Sequence, residues 1–209
     1  DHRDLHSFPP RRSSDLPSRG GRFAQGGRTT VVLCPTPVLE TERLVLRAPA
    51  ARDFDGWRDF FLSERSQWIR GSAPAVDEPT AWRAWAGVIG HWVMRGWGTF
   101  VITTQDSDRG LGMTGPWAPV NWPEYELGWS CWDPALEGTG LMAEAAACAR
   151  DHAFGVLGWK TAVSYIAPAN TRSIRLAERL GAVCDPQAPR FPGEAEALVY
   201  RHPTPEVSA

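Results

Sequence analysis

Apolar residues recur along the chain at two spacings, every second residue and every third or fourth residue. The first spacing predicts β-strands, and the second predicts helices that bury one face. From residue 39 onward the pattern predicts the order β-α-α-β-β-β-α-β-α-β-β. The predicted strands are Leu39–Arg47, Gly98–Thr103, Leu111–Thr114, Tyr125–Trp132, Thr161–Ile166, Ala182–Cys184 and Ala197–Tyr200. The predicted helices are Phe54–Phe61, Pro79–Gly96, Leu141–Leu157 and Thr171–Leu180.

Glycine and polar turn residues mark the ends of these elements. Gly96 and Gly181 follow the last apolar residues of two predicted helices, where glycine can adopt the left-handed conformation that ends a helix. The polar run Gln105–Gly110 predicts a turn between two strands. Because helices and strands are interspersed, the sequence predicts one α/β domain around a central sheet.

The first 36 residues differ from the rest of the chain. They are rich in proline, glycine and arginine without apolar periodicity, so residues 1–36 are predicted to form a disordered leader. The sequence begins with Asp1, and His6–Leu16 resembles translated sequencing-adapter DNA. Part of this segment is therefore expected to be a gene-model artefact, and an ordinary basic leader is the alternative. The folded domain is predicted at 37–203, followed by a short tail at 204–209.

Composition and charge narrow the class of protein. Of the 209 residues, 43% are hydrophobic, which is typical of a globular domain. The formal net charge of −2 and the pI near 6.2 give no reason to expect nucleic-acid binding. No apolar run is long enough to cross a bilayer, so no membrane partner is expected. His91 and His152 lack metal-binding spacing, and no metal is predicted. The four cysteines are interpreted as reduced thiols of a cytoplasmic protein, because they show neither disulfide nor metal-site spacing: Cys34, Cys131, Cys148 and Cys184.

The segment Glu137–Ala145 lies between a predicted strand and a predicted helix and reads Glu-Gly-Thr-Gly-Leu-Met-Ala-Glu-Ala. Glycines let the backbone approach a ligand closely, and the first N–H groups of the following helix favour an anion such as a pyrophosphate. Backbone amides would make the contacts, so the side chains need only be small or turned away. A glycine-rich turn that simply starts a helix is the alternative interpretation.

Two other nucleotide sites share part of this pattern. Gly138–Ala143 fits the dinucleotide pattern G-x-G-x-x-A, which requires a tight turn from strand to helix and an acidic residue about 20 positions later. Here Asp133–Glu137 intervenes, and the next strand ends at Ile166–Pro168 without a carboxylate. A P-loop would need a lysine after Gly140, where Leu141 stands. The context favours neither site, and an unrelated nucleotide-binding enzyme is kept only as a third hypothesis.

Three segments together resemble the GNAT superfamily of N-acetyltransferases. They are Trp122–Trp129 (WPEYELGW), Glu137–Ala145 (EGTGLMAEA) and Asn170–Ala182 (NTRSIRLAERLGA). They are most similar to the branch that contains ribosomal-protein N-terminal (alanine) acetyltransferases, and the resemblance spans about Leu39 to Tyr200. It implies a single GNAT-like α/β domain with a mixed, mostly antiparallel central sheet flanked by about four helices. That sheet would splay to admit the pantetheine arm of acetyl-CoA.

The resemblance also assigns residues to the cofactor. The family pattern is Gln/Arg-x-x-Gly-x-Gly/Ala, in which Gly140 matches the central glycine while Glu137 and Met142 depart from it. A carboxylate beside a pyrophosphate is unfavourable unless it faces solvent, and Met142 must turn away. Asn170 matches the family's pantetheine asparagine, although it is also a good helix N-cap. The implied cofactor-binding residues are Ser130, Cys131, Trp132, Gly138, Thr139, Gly140, Leu141, Met142, Ala143, Asn170 and Ser173.

Acetyl transfer requires a base for the amine, a donor for the thioester oxygen and an acid for the leaving thiolate. Glu126, in the family's Glu-Leu-Gly segment, is the candidate base, and Glu124 on the same strand face is the second choice. A solvent-exposed or structural carboxylate is the alternative interpretation. A backbone N–H of Gly128–Cys131 is the candidate donor. Because the third segment contains no tyrosine, Ser173 is the candidate acid, with Tyr165 as a more distant one.

Cysteine chemistry offers another route. Cys131 or Cys148 would suit a covalent intermediate only with a histidine clearly paired to it, and the sequence shows none. Both are therefore predicted to be core thiols. The candidate aromatic residues of the cleft are Trp68, Trp117 and Trp122.

The resemblance thus implies an acyl-CoA N-acyltransferase. It would pass the acetyl group from acetyl-CoA directly to a primary amine in a ternary complex. The acceptor would be a protein N-terminus or an amine-bearing small molecule, and the protein a cytoplasmic monomer or homodimer. The alternative is a non-catalytic acyl-CoA-binding regulatory domain, favoured by Glu137, Met142 and the missing tyrosine.

Overall fold

The computed structural model describes residues 35–70, 76–190 and 196–204, so nearly all of the predicted leader and tail lies outside the described residues. Within them the chain forms eight strands and four α-helices. The strands are β1 (Leu39–Glu40), β2 (Leu44–Arg47), β3 (Phe100–Thr104), β4 (Ser107–Trp117), β5 (Glu126–Cys131), β6 (Val163–Ile166), β7 (Val183–Cys184) and β8 (Leu198–Arg201). The α-helices are α1 (Phe54–Leu62), α2 (Glu78–Arg95), α3 (Leu141–Gly155) and α4 (Thr171–Arg179). Short 3-10 turns lie at Ala51–Asp53, Glu64–Trp68 and Pro134–Leu136.

The eight strands form one sheet in the order β1-β2-β3-β4-β5-β6-β8-β7. Every neighbouring pair is antiparallel except β5 and β6, which run parallel. The predicted mixed, mostly antiparallel sheet is therefore confirmed. The parallel pair meets at a single register position, Glu126 opposite Val163. Beyond that position the two strands separate.

Two predicted elements differ from the structure. The predicted first strand is a hairpin, in which Leu39 of β1 lies opposite Leu46 of β2. Thr41 closes the turn, since its amide donates to the carbonyl of Leu44 at 2.9 Å and its hydroxyl accepts from the Leu44 amide at 3.0 Å. The predicted turn Gln105–Gly110 is shorter than expected, because β4 already begins at Ser107. The first residues of β4 are exposed, so they are polar like a turn although they pair as a strand.

The helices cover both faces of the sheet. On one face α1 and α2 bury tryptophans against the sheet: the ring of Trp57 lies 5.7 Å from that of Trp85 and 5.9 Å from that of Trp132. On the other face Ala145 and Ala149 of α3 are fully buried against Leu44 and Phe100. Small side chains let α3 approach the sheet closely, which fixes where its N-terminus stands.

Two helix ends behave as the sequence predicts. Gly96 follows α2 with a φ of 76°, and Gly181 follows α4 with a φ of 81°. A Cβ is disfavoured in this left-handed conformation, which explains glycine at both positions. Asn170 caps α4 by accepting a hydrogen bond from the Ser173 amide at 3.2 Å.

Candidate active site

A cavity of about 800 Å³ opens where β5 and β6 separate. Its lining combines the residues of β5 and β6 at the split, the start of α4 and the N-terminal helical segments. The predicted site residues Glu126, Ser130, Asn170 and Ser173 line it. We call this space between β5 and β6 the cleft.

The backbone of β5 faces the cleft at every second residue. In an antiparallel pair the N–H and C=O groups of successive residues point alternately to the two sides of the strand. The amide of Trp132 donates to Leu111 on β4 at 3.0 Å, whereas the carbonyl of Leu127 faces β6. The alternation therefore directs the backbone groups of Trp129 and Cys131 into the cleft. Trp132 itself is 7% exposed and belongs to the tryptophan core.

The cleft closes at a buried hydrogen-bonded chain. The Ser164 hydroxyl donates to the carbonyl of Leu127 at 2.6 Å, which ties β6 to β5. Because the Ser164 hydroxyl proton is donated to Leu127, the ring Nε2 of His202 must be protonated and donate to the Ser164 oxygen at 2.9 Å. Burial, assisted by the charge of Arg150, lowers the pKa of His202 to about 4, so the ring is neutral near pH 7.

The loop before α3 is shaped by two glycines in the left-handed region, Gly138 with a φ of 75° and Gly140 with a φ of 82°. Gly140 is the N-cap of α3 and provides no side-chain cap. The first amides of the helix are thereby directed toward the loop. The side chains of Leu141 and Met142 pack against the core cluster around Leu44, as a phosphate-binding role for these amides requires.

Glu144 anchors this loop to the first hairpin. Its carboxylate accepts hydrogen bonds from the Thr41 hydroxyl at 2.6 Å and from the Arg43 Nε at 2.7 Å. These bonds, after the opposing cost of burial, lower the pKa of Glu144 and keep it ionised. The first turn of α3 is thus held in place from residues about 100 positions away in sequence.

Glu137 faces two arginines. Its Oε1 lies 2.8 Å from Nη2 of Arg65, and its Oε2 lies 2.8 Å from Nη1 of Arg172. Arg65 also donates to the carbonyl of Cys131 at 3.0 Å. The carboxylate that departs from the family pattern is therefore neutralised by two cations that the sequence does not place near it.

Ser173 and Glu126 occupy different parts of the cleft wall. The Ser173 hydroxyl accepts from the indole Nε1 of Trp129 at 3.1 Å. The Glu126 carboxylate accepts from the indole Nε1 of Trp122 at 2.5 Å, which orients it. Glu124, the second candidate base, instead forms a bidentate ion pair with Arg201 at 2.8 and 3.0 Å and does not appear in the cavity lining.

Tyr165 is another hydroxyl of the cavity lining. Burial, together with the nearby carboxylates of Glu124 and Glu126, raises its pKa to about 12. The phenol therefore remains protonated across the physiological range.

Aromatic side chains form the wall opposite β6. The three candidates Trp68, Trp117 and Trp122 all line the cavity. Trp117 is supported by His91, whose ring stacks on it at a centroid distance of 4.5 Å. The His91 Nε2 accepts from the Ala118 amide at 3.0 Å, so Nδ1 carries the proton that it donates to Trp97. Burial lowers the pKa of His91, which is consistent with this neutral tautomer.

The described cysteines are free thiols: Cys131, Cys148 and Cys184. Burial raises the pKa of both Cys131 and Cys148, whereas a nucleophilic cysteine requires a lowered one. Over residues 35–70, 76–190 and 196–204 no cluster of three or more histidine, cysteine or acidic side chains could hold a metal ion. In the same ranges no helix is long and apolar enough to cross a bilayer.

The chain is similar to known acetyltransferases. A family model described as "Acetyltransferase (GNAT) domain" matches residues 43–183. The crystal structure of an acetyltransferase from Agrobacterium tumefaciens is 38% identical, with a TM-score of 0.73, covering 85% of this chain and 99% of that one. A GnaT-family acetyltransferase from Bordetella pertussis is 28% identical, with a TM-score of 0.64, covering 80% and 99%. A ribosomal L7/L12 alpha-N-protein acetyltransferase in complex with coenzyme A shares the fold at 18% identity and a TM-score of 0.60, covering 79% and 97%.

Proposed function

The chain belongs to the GNAT acetyltransferase family, and we propose that it transfers an acetyl group from acetyl-CoA to a primary amine by direct attack in a ternary complex. The observation that carries this proposal is the cleft between β5 and β6. Glu126 of β5, Tyr165 of β6 and Ser173 of α4 line one cavity there. The family membership supports acetyl transfer, and the cavity supports the two-substrate geometry.

Acetyl-CoA would bind through backbone groups. The amides at the start of α3 would hold the pyrophosphate, since a helix N-terminus offers both free N–H donors and a favourable dipole. The carbonyl of Trp129 and the amide of Cys131 would pair with the pantetheine arm in the place that β6 leaves empty. The side-chain amide of Asn170 can donate to the same arm while its oxygen caps α4.

The amine would be activated at Glu126. A carboxylate that accepts the amine proton leaves a neutral nitrogen, which attacks the thioester carbonyl. The amide of Trp129 would donate to the carbonyl oxygen as negative charge develops. The carbon–sulfur bond then breaks, and the thiolate takes a proton from Ser173, with Tyr165 as the second donor in the cavity. The proton that the attacking nitrogen loses as it becomes the amide returns to that hydroxyl.

Direct attack is favoured over an acetyl-cysteine intermediate. The raised pKa of the two half-buried thiols, Cys131 and Cys148, leaves few thiolates to attack a thioester near pH 7. The Cys131 thiol, moreover, already donates to the carbonyl of Asp133 at 3.1 Å.

The non-catalytic alternative loses its two loop arguments. Met142 packs into the core rather than toward the phosphates, and Glu137 is neutralised by arginines. We propose an acceptor that presents an unblocked amine beside an apolar group, because the wall opposite β6 is largely tryptophan. Both a protein N-terminus and a small aromatic amine meet this description.

Two assays of the full chain test the proposal. The melting temperature is measured with acetyl-CoA, CoA, NAD and ATP, since a ligand that binds the native state raises it. Release of free CoA thiol is then followed with peptides carrying a free or a blocked N-terminus and with small amines. We expect a shift with acetyl-CoA and CoA only, and thiol release with unblocked amines. A folded protein that shows no shift with millimolar acetyl-CoA would contradict the proposal.

A further inference from the structure

The first position of the α3 loop carries a charge opposite to the one a phosphate site needs. Glu137 stands where the family pattern has glutamine or arginine, yet the first amides of α3 remain directed at the loop. Any cation near this position therefore comes from another element. Arg65 and Arg172 both lie 2.8 Å from the carboxylate. Arg43, which donates to the carbonyl of Thr139 in the same loop, is held by Glu144.

The two arginines are bound differently. Arg65 has a side chain that is 30% exposed and a second hydrogen bond, to the carbonyl of Cys131 on β5. It links the end of β5 to the loop and is therefore fixed. Arg172 has a side chain that is 78% exposed, and among the described residues it forms an ion pair with Glu137. An exposed arginine with one such partner can exchange it for another anion at little cost.

Arg172 lies at the mouth of the cleft. It stands in the first turn of α4, between Asn170 and Ser173, which both line the cavity. Its partner Glu137 belongs to the loop on the other side of the mouth, after β5. A pyrophosphate at the start of α3 would therefore arrive next to the guanidinium of Arg172.

We propose that Arg172 is a phosphate-binding residue of the acyl-CoA site and exchanges the Glu137 carboxylate for the CoA pyrophosphate. This inference rests on the proposed function. Arg65 retains Glu137 after the exchange, which keeps the carboxylate away from the phosphates. The guanidinium suits this task because it can offer two parallel N–H donors to phosphate oxygens. The cation that the loop lacks is thus supplied by α4.

The exchange predicts that Arg172 contributes to the affinity for CoA through the phosphates and not through the pantetheine arm. Binding of CoA should use Arg172, whereas binding of pantetheine, which has no phosphate, should not. Salt should weaken the CoA contact, because the arginine is exposed and its interaction with the ligand is screened.

The test compares Arg172→Gln with Arg179→Gln in the full chain. Arg179 is an exposed arginine of the same helix, about 10 Å further from the loop along the helix axis. Dissociation constants for CoA, dephospho-CoA and pantetheine are measured under reducing conditions by tryptophan fluorescence. For Arg172→Gln we expect a roughly tenfold weaker affinity for CoA and for dephospho-CoA, the size of one charge-assisted hydrogen bond. Affinity for pantetheine should be unchanged, and Arg179→Gln should bind all three ligands like the wild type.

A second variant separates the exchange from a merely structural ion pair. Glu137→Gln removes the competing anion and should bind CoA at least as tightly as the wild type. If the ion pair only stabilised the fold, both Glu137→Gln and Arg172→Gln would lower the melting temperature and neither would distinguish CoA from pantetheine. That result would overturn the proposal.

The remaining outcomes are also decisive. If the wild type and Arg172→Gln bind CoA equally well, this inference is overturned and the proposed function is unaffected. A tenfold loss for CoA that disappears with dephospho-CoA would move the contact to the 3′-phosphate and overturn the pyrophosphate assignment. A folded wild type that binds no CoA would contradict the proposed function itself.

Discussion

The two ends of β5 are held by different kinds of interaction. Near its start the strand is tied to β6 by the Leu127–Ser164–His202 chain, whose three residues are each at most 3% exposed. Near its end it is linked to the rest of the cleft through Arg65 and the ion pairs of Glu137. The first end is dry and hydrogen-bonded, and the second is charged and accessible to solvent.

This difference explains how one strand can serve both the fold and the site. Buried hydrogen bonds are costly to break, because the separated groups cannot turn to water. Exposed ion pairs exchange partners easily, because water and other ions compensate for their loss. A cleft that must admit an anionic ligand at one end and keep its shape at the other requires this distribution. Four predictions test the contrast.

Glu126→Gln should have the largest effect. We expect the turnover number to fall about a thousandfold, or about 4 kcal/mol in the barrier, if the carboxylate is the general base. Affinity for acetyl-CoA should not change, because the carboxylate lies on the acceptor side. Glu124→Gln, two residues before β5, is the matched control: it breaks the Arg201 ion pair, so it should lower the melting temperature while leaving turnover nearly intact. Equal turnover losses in both variants would rule out a special role for Glu126.

Acid should destabilise the start of β5, which the Leu127–Ser164–His202 chain ties to β6. We call this the closed end of the cleft. The pKa of His202 is about 4 in the folded protein, whereas the ordinary pKa of histidine is 6.5, so between these pH values the unfolded state binds a proton that the folded state does not. The free energy of unfolding therefore decreases as pH falls from 6.5 to 4, by about 3 kcal/mol from this group. Denaturant unfolding measured across this range checks the slope. His202→Gln should flatten it, and an unchanged slope in that variant would refute the assignment.

Ser164→Ala should open the closed end without changing its charge. The substitution leaves the carbonyl of Leu127 and the ring N–H of His202 buried without their hydroxyl partner. We expect a loss of about 2 kcal/mol in the free energy of unfolding. Ser107→Ala, on an exposed part of β4, is the control and should cost almost nothing. Comparable losses in the two variants would show that the closed end is not what holds the strands together.

Arg65→Gln should have the smallest effect on stability. Its ion pair and its bond to the Cys131 carbonyl are partly exposed, so we expect a loss below about 1 kcal/mol by denaturant unfolding. Since glutamine can still donate to Cys131, the substitution tests the charge itself. A loss as large as that of Ser164→Ala would erase the contrast between the two ends of β5.

Much of the fold follows from local sequence. The caps at Asn170 and Gly181 and the course of α4 depend on neighbouring residues, and the structure has them where the sequence predicts. The alternation along β5 also determines that Glu126 shares a face with Ser130. Where the prediction failed, the polar start of β4 had the composition of a turn, whereas the turn between β1 and β2 lay in a run that alternates like a single strand.

Some of the site could be predicted from the sequence only as a range. The candidate donor, a backbone N–H of Gly128–Cys131, narrows to Trp129 or Cys131 once the bond of Trp132 to β4 is known. The side chain of Trp132 lies in the tryptophan core, which depends on contacts with α1 and α2 that the sequence does not show.

The sequence by itself determined the glycine loop, the family resemblance and the alternation of β5, because each is a pattern of residues that are close along the chain. The tertiary structure alone decided which carboxylate reaches the cavity, what neutralises Glu137 and where β5 and β6 part. Arg65, Glu137 and Arg172 belong to three elements, and Ser164 and His202 are 38 residues apart. Such contacts form only when the sheet brings distant segments of the chain together, and a local sequence pattern cannot predict them.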